Sequence, residues 1–397
     1  MSILASVPLA PRDPILGLTE QFNADDRPGK VNLGVGVYQD EHGKVPLLDC
    51  VRTAEARLDR APVARSYLPI DGLPAYDRLV RELIFGADSA AVAAGQVTTV
   101  QTLGGTGGLK IGAEFLKTTG AGRRVLISTP SWENHHALFT KAGFEVGSYR
   151  YYDRDLGGVD VAGMLADLAA ATPGTIVVLH GCCHNPTGYD LTSSQWQQVA
   201  AAVVERGLVP FVDLAYQGFS EGLEPDGAVP RQFAELGVPV LVSTSFSKSF
   251  SLYGERVGSL SVISADDEEA ARVLSQLKVA VRTTYSNPPT HGAAVVAAVL
   301  ADPELRAGWE AELAGMRDRI KGMRRALLAG LAAAGVDGWG FLTEQVGMFS
   351  YTGLSAEQMR VLRDEHAVYG TDAGRICVAA LNDSNVEAVA RAIAAVV

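Results

Sequence analysis

Between about residue 95 and residue 265, short apolar runs alternate with stretches of helical spacing, and no other feature of the 397-residue chain restricts its fold so much. The segments "TTVQTL", "RRVLIST", "GTIVVLHG", "LVPFVDLA" and "VPVLVSTS" are short and rich in Val, Ile and Thr, which predicts buried strands. Between them, "DVAGMLADLAAA" and "TSSQWQQVAAAVVERG" carry helical spacing. The second opens on Thr192 and Ser193 and closes on Gly207, residue types that suit the two ends of a helix. Such alternation predicts an α/β domain with a mostly parallel sheet. Beyond about residue 300 a long helical pattern leads into mixed strands and helices. A second, smaller α/β domain is expected there, partnered by the strand-like N-terminal segment "KVNLGVGVYQDEHGKVPLL". The expected boundaries are 46–314 for the large domain and 1–45 together with 315–397 for the small one.

Polar residues follow strand after strand. "TTVQTL" runs into "GGTGGLKIGAEFLK", "RRVLIST" into "PSWENHH", "GTIVVLHG" into "CCHNPTG", "LVPFVD" into "LAYQGF", and "VPVLVSTS" into "FSKSF". Ligands of open α/β sheets bind beyond the carboxyl ends of the strands, so these five ends can surround one pocket. The glycines of "GGTGG" (Gly104 to Gly108) at a strand-to-helix turn can present backbone N–H groups to a phosphate, although a plain tight turn uses the same residues. Neither GxGxxG nor GxxxxGK[ST] spacing is present, which counts against a dinucleotide-binding dehydrogenase and a P-loop enzyme. Asp213 ends an apolar strand, where an unpaired carboxylate is expensive to bury. It either caps the next segment or faces a cationic ring nitrogen.

Composition narrows the partners. The chain is 47% hydrophobic and 20% charged, with a net charge of -11 and no basic run, so no nucleic acid is expected. No apolar segment approaches the length of a membrane span. Cys50, Cys182, Cys183 and Cys377 match no zinc spacing and no disulfide framework, so neither a metal nor a disulfide is expected. The N-terminus has no basic n-region, and Pro8, Pro11 and Pro14 interrupt its apolar residues, so a cytoplasmic protein is expected.

Taken together, "SFSKSFSLYGERVG", "CCHNPTG", "FVDLAYQGF", "GGTGG" and "VRTTYSNPP" resemble class I pyridoxal-phosphate aminotransferases, in particular the aspartate and aromatic amino acid aminotransferases. The resemblance runs from about Pro14 to the C-terminus with the motifs in family order. It implies pyridoxal-phosphate transferase fold type I, pyridoxal 5'-phosphate as cofactor, and amino acids and 2-oxo acids as substrates. It also carries over the site. Lys248 is the amine that condenses with the cofactor aldehyde and later moves the α-carbon proton. Asp213 faces the pyridine nitrogen, with His135 behind it. Asn185 and Tyr216 face the phenolic oxygen, and Trp132 stacks over the ring. Gly105, Thr106, Ser245 and Arg256 hold the phosphate, which Tyr67 reaches from the neighbouring subunit. Arg375 grips the substrate α-carboxylate. Arg282 enters from the other subunit to meet a side-chain carboxylate, and Gly36 belongs to a mobile segment at the site. A homodimer with shared active sites follows.

The phrases "PSWENH", "FSLYGERVG", "MFSYTGLS" and "GRICVA" look more like the bacterial aromatic enzymes, whereas Thr106 and Asn287 look more like the aspartate enzymes. The expectation is an aromatic amino acid aminotransferase that retains activity on Asp and Glu, using 2-oxoglutarate or oxaloacetate as acceptor. An aspartate aminotransferase with minor aromatic activity is the alternative. Two carboxylate-binding arginines argue against a decarboxylase on the same fold. Intact Lys248, Asp213 and Arg375 argue against a binding protein without turnover. One departure from the family is Asp372, three residues before Arg375: pointing inward it would compete for that arginine, and the outward orientation is favoured.

Overall fold

All five expected strands form, and two more join them. The computed structural model describes residues 2–10, 15–64 and 66–397; Pro11 and Pro14 of the N-terminal stretch lie outside the described residues. In chain order the main-sheet strands are β1 (Val97–Leu103), β2 (Arg124–Thr129), β3 (Glu145–Arg150), β4 (Ile176–His180), β5 (Val209–Leu214), β6 (Leu241–Ser245) and β7 (Val257–Ile263). Their order across the sheet is β1-β7-β6-β5-β4-β2-β3. The pairs β2–β3, β2–β4, β4–β5 and β5–β6 are parallel, and β7 alone runs antiparallel, against both β1 and β6. This is the expected α/β class.

The two additional strands are hard to see in sequence for different reasons. β3 pairs only with β2 and carries the polar sequence EVGSYR, so it lacks the apolar run of a central strand. β7 is buried throughout, yet its interior positions alternate with serine. Those hydroxyls are satisfied across the sheet: Ser261 Oγ lies 2.9 Å from Thr99 Oγ1, and Ser259 Oγ lies 2.6 Å from Thr244 Oγ1.

Local signals set the helix ends. The Ser193–Arg206 helix starts in a capping box in which Thr192 Oγ1 accepts from Gln195 N–H while the Gln195 side chain accepts from Thr192 N–H; Gly207 ends it at φ 63°. Such a cap is worth about 1 kcal/mol. The expected long helix spans Pro303–Ala333, and Asp302 caps its first turn by accepting from Glu304 and Leu305 N–H. The boundary drawn at residue 314 therefore falls inside one continuous helix.

The strand-like N-terminal segment is mostly not a strand. Only Val31–Asn32 forms a ladder, parallel to Val368–Tyr369. Farther on, besides backbone bonds of Leu33 and Gln39, side chains take its backbone groups: Tyr38 N–H donates to Tyr253 Oη at 2.9 Å, and Gly34 C=O accepts from Arg375 Nη2 at 2.7 Å. The segment is thereby laid against the carboxyl ends of the main sheet. On the same side, Phe349–Tyr351 pairs antiparallel with Arg375–Cys377, which fixes Arg375 in a buried strand.

Candidate active site

The carboxyl ends of β1, β4, β5 and β6, the turn after β2 and the start of antiparallel β7 meet around one cavity of about 450 Å³. Its walls include Gly36, Gly105, Thr106, Trp132, Asn185, Asp213, Tyr216, Ser245, Lys248 and Arg256, all singled out in the sequence. His135 and Arg375 stand behind the wall, with 0% and 1% exposure. Tyr67 and Arg282 do not line this cavity: Tyr67 is 89% exposed, and Arg282 is exposed on the last turn of the Asp267–Thr284 helix.

Lys248 follows β6 by three residues, and its Nζ sits 4.7 Å from the centre of the Tyr216 ring. Burial disfavours the ammonium form; Asp213 opposes that and Arg256 adds to it, and the balance brings the amine down to about 8. A lysine so placed is available as a neutral nucleophile near neutral pH.

Asp213 lies opposite His180 in the register of β4 and β5. Burial pushes its carboxyl upward, but above all the His135 hydrogen bond, with the attraction of the neighbouring His135 and Lys248, outweighs it, so the group is held below the usual carboxylate range. His135 Nε2 meets Asp213 Oδ2 at 2.9 Å, and His135 Nδ1 meets Ser131 Oγ at 2.9 Å. Ser131 Oγ is 3.4 Å from His180 Nε2, while His180 Nδ1 accepts from Asn185 N–H at 3.2 Å. One proton arrangement satisfies the whole chain. An ionised carboxylate only accepts, so His135 carries its proton on Nε2; a backbone N–H only donates, so neutral His180 carries its proton on Nε2. Burial above all, with His135 nearby, keeps His180 neutral by lowering it to about 3.

An anion-sized cradle lies at the other end. Gly104 opens the helix to Leu116 at φ 67°, and its N–H donates to Arg256 C=O at 2.9 Å. A Cβ on Gly104 would lie 2.4 Å from Arg256 Nη2, so only glycine lets the guanidinium lie against the helix start. Arg256 itself is held at φ 54°, an uncommon conformation for a long side chain. Its Nη1 donates to Ser247 Oγ at 3.2 Å and Tyr253 C=O at 3.1 Å. Ser245 Cβ stands 3.2 Å from the Cβ position of Gly105. The helix N-terminus and one arginine thus face the same space.

Arg375 stands behind the wall at Asn185. Nη1 donates to Asn185 Oδ1 at 3.1 Å and Nη2 to Gly34 C=O at 2.7 Å; the buried Nε has no partner. The guanidinium carbon lies 4.3 Å from the centre of the Phe349 ring. Its hydrogen-bond partners are neutral, and a buried donor without an acceptor suits a visiting carboxylate. Asp372 points outward as expected: its side chain is 61% exposed and accepts from Arg363 Nη1 at 3.0 Å.

Sequence reasoning missed Gly104 as the contact surface for Arg256, Ser131 and His180 as continuations of the aspartate–histidine pair, and Phe349 beneath Arg375. Position beside a recognised motif residue was the available signal for the first two. Cys182, Cys183 and Asp226 lie within 4.8 Å of one another, but Asp226 already accepts from the N–H groups of Gly218, Ser220 and Glu221. All four cysteines are free and buried.

A mostly parallel α/β sheet bearing a buried-amine lysine, an ionised buried aspartate and an arginine at a helix start defines a pyridoxal-phosphate enzyme of fold type I, and the cradle, aspartate and lysine fit that cofactor's phosphate, ring nitrogen and aldehyde. The profile of the family "Aminotransferase class I and II" matches residues 28–393. The chain is 56% identical to the aspartate aminotransferase of Pseudomonas aeruginosa over 394 residues, 99% of each chain. It is 51% identical to the aromatic-amino-acid aminotransferase of Escherichia coli over 386 residues, 97% of each. The crystal structure of the aromatic-amino-acid aminotransferase of Burkholderia pseudomallei, covalently bound to pyridoxal phosphate, superposes with a TM-score of 0.97 at 60% identity and full coverage of both chains. The chain belongs to the class I and II aminotransferase family and is a pyridoxal-phosphate-dependent aminotransferase.

Proposed function

We propose that the protein transfers amino groups from Tyr and Phe, and also from Asp and Glu, to 2-oxoglutarate or oxaloacetate. The observation that carries this is the buried Arg375, behind the cavity wall at Asn185, hydrogen-bonded only to neutral groups and, among the described residues, with Nε free for a carboxylate. An apolar wall of Val35, Val37, Leu109 and Trp132 supports an aromatic side chain in the same cavity. Relatives named for aspartate and for aromatic amino acids support the double range.

Each residue has a task in this scheme. Bound pyridoxal phosphate supplies an aldehyde and an electron-withdrawing ring. Asp213, ionised and braced by His135, holds a proton on the ring nitrogen opposite it. Lys248 Nζ would hold the cofactor through its aldehyde carbon and, when free as a neutral amine, would take the proton of the substrate α-carbon and return it. Tyr216 and Asn185 donate to the phenolic oxygen. Trp132 covers one face of the ring and keeps water from it. Gly105, Thr106, Ser245 and Arg256 bind the phosphate. Arg375 orients the α-carboxylate, and Gly36 lies in the segment closing over it.

In the same scheme the protein is a homodimer in which Tyr67 and Arg282 serve the partner's site. Their exposure supports this, as does the exposed apolar series Ile3, Leu4, Val7 and Leu9 near the N-terminus. The chain divides into a large domain, 46–314, and a small one made of 1–45 and 315–397. No helix of the described residues is long and apolar enough to cross a membrane, and we place the enzyme in the cytoplasm. Mixing cofactor-loaded protein with Phe, Tyr or Asp in the absence of any acceptor tests the substrate range.

A further inference from the structure

Resting on the assignment of Arg375 to the substrate α-carboxylate, we propose that Glu133 is a resident counter-ion of Arg375, a positioning residue that sets how tightly the enzyme holds the carboxylate common to all its substrates. Among the described residues, the carboxylate that pairs with Arg375 is that of Glu133, with Oε2 4.0 Å from Nη1. That separation is too long for a hydrogen bond and close enough for strong attraction in a partly enclosed site. The competition that an inward Asp372 would have brought comes instead from another residue, since Asp372 points outward to Arg363.

The local structure brings Glu133 to this side of the cavity. It is the first residue of the Glu133–Lys141 helix, immediately after Trp132 of the cavity wall, and a helix start favours a negative side chain. Its side chain is 36% exposed, so it can swing to water, whereas Arg375 is fixed by Asn185, Gly34 and the Phe349 ring. An incoming α-carboxylate must displace this attraction before forming its own bonds to Arg375. The cost falls equally on amino acids and 2-oxo acids and is blind to the substrate side chain. It acts on ground state and transition state alike, so it raises KM and leaves kcat nearly unchanged.

The test uses two unreactive carboxylates, 3-phenylpropionate and maleate, titrated into cofactor-loaded enzyme. Glu133→Gln and Glu133→Ala are each expected to tighten both ligands by the same factor, about three- to ten-fold, as for removal of one partly screened charge. KM for Phe and for Asp falls by that factor with kcat steady, and Asp372→Asn changes nothing. Arg375→Ala separates the two levels of the claim. If it binds both carboxylates as well as the unaltered enzyme does, the assignment of Arg375 fails and the proposal with it. If Arg375 is required but the Glu133 variants bind unchanged, more weakly, or more tightly for one ligand only, the proposal alone is overturned.

Discussion

His135 Nε2 donates to Asp213 Oδ2 across 2.9 Å, and both side chains are buried. The bond leaves Asp213 Oδ1 for the cavity while the histidine keeps the carboxyl below its usual range against the pull of burial. Asp213→Asn removes the charge opposite the ring nitrogen, and its kcat is expected to fall by about 10³-fold. His135→Asn removes one charge-assisted hydrogen bond, worth about 1.5–3 kcal/mol, and a loss of roughly ten- to a hundred-fold is expected. Single-turnover rates check the ranking; equal losses for the two variants would contradict it.

Lys248 makes a pH prediction. In protein stripped of cofactor the amine, lowered to about 8, is protonated below that pH and neutral above it. Only the neutral form attacks an aldehyde, so covalent loading of pyridoxal phosphate should accelerate as pH rises from about 7 to 9 and then level off. Asp213→Asn removes the neighbouring charge that favours the ammonium form and should move the rise to lower pH. Absorbance during reloading reads the rate. Acceleration that continues into the ordinary lysine range would show that the amine is not desolvated as described.

Gly104 predicts a steric effect on the cofactor. At φ 67°, and with its Cβ position 2.4 Å from Arg256 Nη2, Gly104→Ala must displace the arginine from the helix start. Pyridoxal phosphate should bind at least roughly ten-fold more weakly, the cost of removing one charge-assisted hydrogen bond to its phosphate. Equilibrium dialysis measures it, and unchanged affinity would exclude Arg256 from the phosphate site.

Arg282 predicts a division between substrates and between subunits. Arg282→Ala should lose most activity toward Asp and 2-oxoglutarate while keeping activity toward Phe; equal losses for all three would remove its assigned role. Mixed with Lys248→Ala chains, it should regain about a quarter of the normal Asp activity, because half of randomly formed dimers carry one complete site. No recovery on mixing would contradict sites shared between subunits.

Much of this was legible because local chemistry wrote it. Strands β4 and β5 open on apolar runs, β6 opens within the apolar stretch 238–242, and the Thr192 and Gly207 caps announce their helix. The residues after those strands carried the site, since a parallel sheet collects its strand ends. What escaped depends on distant partners. β7 reads as polar until Thr99 and Thr244 are known to satisfy its serines. The 30–48 segment reads as a strand because nothing in it reveals that Tyr253 will take the Tyr38 N–H and Arg375 the Gly34 C=O. Glu133 reads as a surface acid because Arg375 lies 242 positions away in the chain.

The most direct measurement is the half-reaction. Cofactor-loaded enzyme is mixed separately with Phe, Tyr and Asp, without a 2-oxo acid, and the cofactor's visible absorbance is followed as it converts to the pyridoxamine form. The proposed function requires rapid, complete conversion with Phe and Tyr, and conversion with Asp as well. Conversion by Asp alone would make the enzyme an aspartate aminotransferase and contradict the aromatic assignment.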